Sequence, residues 1–530
     1  MPPAAPAGTA TRDRDPWVPD GVDSLPRKRL IVIFIGLILG ILMAALDQTI
    51  VATAMPTIAG QLNGLRELSW IITAYLLGQT IAMPVYGKVG DFIGRRNAFH
   101  LAIVIFLVGS VIAGLAQSMG MLIALRAVQG IGAGGLMIGA QTIMAEIVSP
   151  RERGKYMSVM GPMIGVATVL GPLLGGYLTQ HVTWRWIFYI NVPIGIAALI
   201  VTGRTLKLPK PEHQRQVDYA GAALMAAAVA CLMLVLTWGG RRYDWTSPTI
   251  LALCAGVAVL FPLWMYAETR AAEPILPLRL FRDDVFRINV PLAFLIGIAM
   301  FGAVSYLPTY LQLSLGASAT YSGVLMLPLM GGLMAAAVVT GQVISRTGRY
   351  KVFPIIGTLV AGVGLYLLSL MNAGSSREES SIYMVVLGVG IGFIMPTLVL
   401  TVQNSVDRAD MSTATAGVNF FRQIGASFGT ALIGSLFVGR LTEDLARKLP
   451  PAAADQVGKH AAGGITPGQL AQLPPNIAHD FVVSYADALT PLYAWVAPLL
   501  VIGFVLALFL KEKPLSTALS RGSRRSEQSG

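Results

Sequence analysis

Apolar residues in this chain come in long runs broken by short polar stretches, and the length of those runs decides its class. Six lie near residues 31–58, 68–89, 97–116, 119–148, 156–180 and 185–206; eight more lie near 219–239, 247–268, 286–313, 319–345, 352–371, 381–406, 413–438 and 484–510. Each reaches the roughly 20 residues that an α-helix needs to cross about 30 Å of hydrocarbon. The pattern predicts an all-α membrane protein with fourteen transmembrane helices. An even count returns the chain to the side on which it began.

Composition agrees with that class. Soluble proteins carry about 25% charged residues, whereas this chain has 12% charged and 54% hydrophobic residues. Its formal charge of +12 raises the question of nucleic acid, and the placement of Lys and Arg answers it. With a cytoplasmic N-terminus, the short inner loops hold eighteen basic residues and the short outer loops five: Arg66, Arg185, Arg241, Arg242 and Arg377. This asymmetry predicts a multi-pass protein of the cell membrane with both termini cytoplasmic. The excess charge then reflects topology and attraction to the lipid bilayer, and no nucleic-acid partner is expected.

Residues 1–29 carry Pro, Ala and charge ahead of the first apolar run, which reads as a disordered cytoplasmic tail rather than a secretory signal. Residues 511–530 form a second cytoplasmic tail. The segment 439–483, rich in Pro, Ala and Gly, is expected outside, as a cap over the pore or a plain link. Cys231 and Cys254 lie in apolar runs and supply neither a disulfide framework nor a metal site. No phosphate-binding loop, metal cluster or nucleophile constellation is apparent, so neither an enzyme nor direct ATP coupling is supported.

The chain repeats itself. Gly87-Lys-Val-Gly-Asp91-Phe-Ile-Gly94-Arg95-Arg96 follows the second run, and Gly341-Gln-Val-Ile-Ser345-Arg-Thr-Gly348-Arg349 follows the tenth, with Gly, Gly and Arg matching at an offset of 254. Duplicated halves are common in transporters. The expected architecture is an N-terminal six-helix half (30–210), two inserted helices (211–280) and a C-terminal six-helix half (281–510).

This organisation resembles the major facilitator superfamily, in particular its fourteen-helix drug:proton antiporter group of bacterial multidrug and antibiotic exporters, over roughly residues 30–510. The loop Gly87, Asp91, Gly94, Arg95 and Arg96 is similar to the superfamily's signature. Its glycines permit close or left-handed backbone, and its charges suit a latch between helices at the inner surface. A tight turn with inward positive charges is the plainer alternative. In the second copy Ser345 replaces the acid, which weakens any charge latch there.

Leu46-Asp47-Gln48-Thr49-Ile50-Val51 resembles the group's first-helix motif. Burial favours a protonated carboxyl and a nearby cation an ionised one, so Asp47 is the first proton-site candidate. Leu125-Arg126-Ala127-Val128-Gln129-Gly130 resembles the fourth-helix motif, in which an embedded Arg is associated with proton coupling. Asp47 lies about 16 Å, and Arg126 about 11 Å, from the outer ends of their helices, so the two can meet in the outer half. A static ion pair that fixes packing is the alternative. Span nine has no carboxylate near Phe301, which assigns proton chemistry to the first half.

Gly171-Pro172-x2-Gly175-Gly176 in the fifth run resembles the motif that marks antiporters, with Gly161-Pro162-x2-Gly165 before it. Gly161, Gly165, Pro172 and Gly176 share one helix face, which permits close packing, and the prolines should kink the helix. Trp184-Arg185-Trp186-Ile-Phe-Tyr-Ile-Asn191-Val-Pro193 also resembles the group, with its aromatics read as interfacial anchors. Glu146 is either an inner-gate residue or a snorkelling acid. Arg422, within Asn419-Phe-Phe-Arg422-Gln423-Ile-Gly425, is a second deeply placed Arg, suited to substrate or to a backbone carbonyl. Tyr75, Gln79, Gln141, Tyr306, Tyr310, Gln312 and Asn404 are candidate substrate contacts.

The expected function is a proton-coupled antiporter that exports amphipathic small molecules as a monomer, with the proton gradient as energy source and no cofactor. Rival readings are import by proton symport, export of a self-made natural product or lipid, and a non-transporting sensor or scaffold.

Overall fold

The computed structural model of the chain describes residues 26–515 apart from 63, 65–66, 207, 209–217, 241, 318, 449–469 and 471–473. Residues 1–25 and 516–530 of the two expected tails, and Arg66 and Arg241, fall outside the described residues. In hydrocarbon every backbone N–H and C=O must find a partner within the protein, so long apolar runs fold as helices. Fourteen helices among the described residues are long and apolar enough to span: Arg27–Gln61, Leu68–Ile93, Arg95–Gly114, Met119–Ile147, Pro150–His181, Trp186–Thr205, Tyr219–Trp238, Pro248–Arg270, Asp284–Ser314, Tyr321–Thr347, Val352–Ser369, Arg377–Ser405, Met411–Lys448 and Pro475–Leu508. They are called the first to fourteenth spans below.

Spans one to six and nine to fourteen form two halves with matching contacts. The first span packs on the fifth as the ninth packs on the thirteenth, and the fourth packs on the second and third as the twelfth packs on the tenth and eleventh. Between halves, the fifth meets the tenth and the thirteenth meets the second, the relation expected of an internal two-fold. The seventh and eighth spans pair with each other, and the seventh lies beside the second and thirteenth. The repeat extends to backbone detail: Gly94 (φ 86°) and Gly348 (φ 75°) each end a helix in the left-handed region at the 254-residue offset.

Two spans exceed the apolar runs. The thirteenth continues to Lys448 and the fourteenth starts at Pro475, so much of 439–483 is helical. Leu441 and Leu445, both buried, extend the apolar stripe one turn at a time, and Glu443 pairs with Arg447 across the next turn. Phe481 does the same at the start of the last span. At the other end of the chain, residues just past Leu508 are strapped down rather than free. The Lys513 ammonium donates to Asp283 (2.9 Å) and to the Ser405 carbonyl (3.1 Å), and the Tyr350 N–H donates to Glu512 (2.7 Å).

Candidate functional site

Asp47 is completely buried in the first span, and five spans converge on it. Arg126 of the fourth span, 1% exposed, forms an ion pair with its Oδ2. Gln129 Nε2 (3.2 Å) and Asn191 Nδ2 (3.0 Å) donate to Oδ1. Ser110 of the third span accepts from Gln129 (3.1 Å) and Asn191 (2.9 Å) and donates a hydrogen bond to the Phe188 carbonyl (2.8 Å). Arg126 also donates to Gln129 Oε1 (3.0 Å) and to the Ile71 carbonyl (3.3 Å), with its guanidinium 4.2 Å from the Tyr75 ring centre. Both Asp47 oxygens and the Arg126 Nε and Nη1 are held by specific donors or acceptors, the kind of pairing under which a buried ion pair is tolerated.

A cavity of about 90 Å³ lies between the halves at a different level. Gln141 lines it from the fourth span, 15 residues and so about 22 Å along the axis from Arg126. Six of its seventeen lining residues are Met (137, 157, 160, 300, 330 and 395), against 22 in the 530-residue chain, so its wall is enriched in the most pliable apolar side chain. Asn419 and Arg422 of the thirteenth span supply further polar groups. Asn419 Nδ2 donates to Gln141 Oε1 (2.8 Å), a bond between halves. The volume is below the roughly 300 Å³ at the small end of ligand pockets, so this conformation is contracted around the cavity.

One end of the bundle carries Lys88, Arg95, Arg96, Arg151 and Arg346 and is called the basic end here. Bonds between halves gather there. Arg95 pairs with Glu146 (3.2 Å) and reaches across to the Arg408 carbonyl (3.3 Å), while Arg151 donates to the carbonyls of Ser345 (3.0 Å) and Arg346 (2.5 Å). Arg96 stays within its half, on the Gly203 carbonyl (2.7 Å). Gly87 and Gly341 occupy equivalent contacts: a Cβ on Gly87 would lie 2.8 Å from Ala416 Cβ, and one on Gly341 2.4 Å from the Gly154 carbonyl. Both halves of the repeat therefore meet the opposite half here, and Ser345 takes part through its backbone, which needs no acid.

The fifth span packs differently from the shared face read off its spacing. A Cβ at Gly176 would meet nothing within 4 Å, whereas one at Gly171 or Gly175 would fall 2.2 Å from Thr49 Oγ1 or 2.1 Å from Thr53 Oγ1. The tight face is Gly171 with Gly175, against the first span, and the Gly171 contact at Thr49 is two residues from Asp47 in sequence. Thr49 Oγ1 seals the contact by donating to the Ala167 carbonyl (2.9 Å). Gly165 faces Met330 of the tenth span instead, and Gly161 lies in the same helix, with its packing outside what the structure describes.

Of the candidate substrate contacts, Gln141 and Arg422 reach the cavity. Tyr75 is buried against Arg126, with its hydroxyl on the Ala44 carbonyl (2.9 Å), and the Gln79 backbone packs against Gly130 and Gly134. Tyr306 bonds the Thr430 carbonyl (3.1 Å), Tyr310 that of Asn372 (2.7 Å), Gln312 the Ser322 hydroxyl (3.0 Å) and Asn404 the Lys513 carbonyl (3.2 Å). None of these six lines the cavity, and the side-chain polar groups of Tyr75, Tyr306, Tyr310, Gln312 and Asn404 are bonded within the protein. Trp184 is buried, donating to Gln61 (2.8 Å), so of the two indoles only Trp186 is exposed like an interfacial anchor. Sequence reasoning gave no role to Ser110, Gln129 and Asn191. The available signal was three uncharged polar residues inside apolar runs.

The comparisons with known proteins follow this architecture. The profile described as Major Facilitator Superfamily matches residues 37–430. An uncharacterized MFS-type transporter of Mycobacterium tuberculosis is 44% identical over 485 residues, covering 92% of this chain and 70% of the relative. The multidrug transporter protein MdtP of Bacillus subtilis is 33% identical over 515 residues, covering 93% and 95%. The solved structure of the proton:xylose symporter XylE superposes with a TM-score of 0.61 over 93% of this chain and 98% of that one, at 14% identity, a likeness of fold alone. Two six-helix halves, a repeated Gly-Gly-Arg loop and a profile match over most of the chain make this protein a membrane transporter of the major facilitator superfamily.

Proposed function

We propose that this transporter is a proton-coupled antiporter that exports amphipathic small molecules across the cytoplasmic membrane by alternating access, with its basic end and both termini in the cytoplasm. The observation that carries this reading is the pairing of Asp47 with Arg126 inside the first half, apart from the Met-walled cavity but joined to it by a helix. The fourth span holds Arg126 and Gln129 at one level and Met137 and Gln141 at the other.

When Asp47 takes a proton, Arg126 loses its counter-charge, and the bonds from Gln129 and Asn191 must rearrange with it. A rigid fourth span transmits that shift to the cavity wall and to the Gln141–Asn419 bond between halves. The coupling is reciprocal, so a molecule that separates the walls also changes the affinity of Asp47 for its proton. Inward proton flow then drives outward movement of the substrate. The exporter direction is supported by the Gly171-Pro172 motif, which resembles that of antiporters, and by relatives named for multidrug transport. The pliable Met wall suits substrates of varied shape.

The experiment is a susceptibility and dye-efflux panel in a host stripped of its own pumps, with and without a protonophore. Energy-dependent efflux that the protonophore abolishes is expected for at least one compound; efflux indifferent to the protonophore would remove the coupling from the reading.

A further inference from the structure

Among the described residues, three arginines are buried in the helices, and they are treated differently: Arg153, 3% exposed, donates to the backbone carbonyls of Val148 and Ala145. Arg126 has a carboxylate. Arg422, 6% exposed, has none: among the described residues its Nη2 donates to Asn419 Oδ1 (3.3 Å) and lies 4.0 Å from Met137 Sδ, while Nε and Nη1 form no hydrogen bond. It lines the cavity, and no Asp or Glu lines that cavity with it. Unlike Arg153, whose donors end on backbone carbonyls, Arg422 keeps donors open beside a cavity at a cost in burial, which marks it as a candidate ligand-binding group. Asn419 is itself fixed, donating to Gln141 Oε1 (2.8 Å) and to the Thr415 carbonyl (2.9 Å), so its Oδ1 holds one Nη of Arg422 and leaves the other donors for an incoming group.

We propose that the cavity selects amphipathic anions, molecules whose carboxylate or sulfonate seats on Arg422 while an apolar body packs among Met137, Met300 and Met330. A guanidinium grips an oxyanion through parallel N–H donors, which gives this end of the site orientation as well as charge. The methionines impose little shape of their own, so charge discriminates where shape does not. A cation of the same size would meet Arg422 across a desolvated space with no acid to offset it. The inference rests on the cavity being the substrate site and is independent of transport direction and of proton coupling.

The test is equilibrium binding to the full chain in phosphatidylcholine nanodiscs without any gradient, using three probes with one fluorophore: dansylglycine (anion), dansylglycinamide (neutral) and dansylcadaverine (cation). Dansylglycine is expected to bind at least about ten-fold more tightly than dansylcadaverine, and Arg422→Gln to bring it within about two-fold of the neutral amide. Arg422→Lys is expected to keep the preference in part, and unchanged dansylglycinamide binding by each variant verifies that the cavity is intact. Equal binding of the three probes, tighter binding of the cation, or a preference that survives Arg422→Gln overturns the proposal. A preference for the anion that disappears when phosphatidylglycerol is added to the discs assigns the site to a lipid headgroup and overturns the small-molecule assignment. Because no gradient is present, failed coupling leaves these outcomes readable, and failed selectivity leaves the coupling reading standing.

Discussion

A carboxylate inside an apolar helix is tolerated only if its charge is met, and Asp47 accepts from Arg126, Gln129 and Asn191 at once. Asp47→Asn replaces an acceptor by an amide and leaves Arg126 uncompensated; removing one partner of a buried pair typically costs about 3–5 kcal/mol. The variant is expected to melt lower in detergent than the parent, and Asn191→Ala, which removes one neutral donor, to lose less. Arg126→Lys keeps the charge without the planar fork and is expected to impair pH-driven transport while retaining expression.

Asp283 offers a check away from the membrane. Partial burial alone would raise its carboxyl, but the Lys513 hydrogen bond, the Phe286 N–H and the Lys513 charge override it and hold the group below the ordinary aspartate range. A depressed folded value stabilises above the unfolded one, so the strap of residues 511–515 is expected to hold at neutral pH and loosen only as pH falls beneath about 3.9. Anisotropy of a dye on Leu515→Cys reads this directly, and Asp283→Asn is expected to lower it already at pH 7. At this scale Asp47 and Arg126 were legible in the sequence because a charge in an apolar run is an anomaly. Ser110 and Asn191 were not, because a neutral polar residue in such a run is common and its partners lie 81 residues apart.

Helices were legible almost wholly from apolar length, because the membrane fixes that length. Their ends were less so: Met411–Lys448 outlasts its apolar run because burial of Leu441 and Leu445 depends on the neighbours they meet, which no window of one chain records. Packing faces were the hardest to read. Gly171 and Gly175, four apart, let the fifth span approach the first, while Gly176, one residue on, faces open space. Gly175→Leu is expected to force the two helices apart and destabilise the protein by about 1–3 kcal/mol or more, as overpacking does, read as a lowered melting temperature. Gly176→Leu, with open space at its Cβ, is expected to leave it nearly unchanged.

For the whole molecule, the repeat at an offset of 254 anticipated the two-fold contact pattern, and the structure adds that the halves are joined at the basic end. A Cβ at Gly154 would lie 3.3 Å from Ile344 Cβ, near the roughly 3.5–4.5 Å that a disulfide spans. Gly154→Cys with Ile344→Cys, in a background without Cys231 and Cys254, is expected to cross-link fifth and tenth spans, stop transport when oxidised, and regain it on reduction. Unimpaired transport by the oxidised form would mean that this end need not open. The central claim is that proton binding at Asp47 drives the exchange. It is tested most directly in proteoliposomes that report internal pH while a transported compound is added under an imposed pH gradient. The parent is expected to show compound-dependent proton flux and Asp47→Asn, still folded and still binding the compound, to show none; full flux in Asp47→Asn would contradict the account.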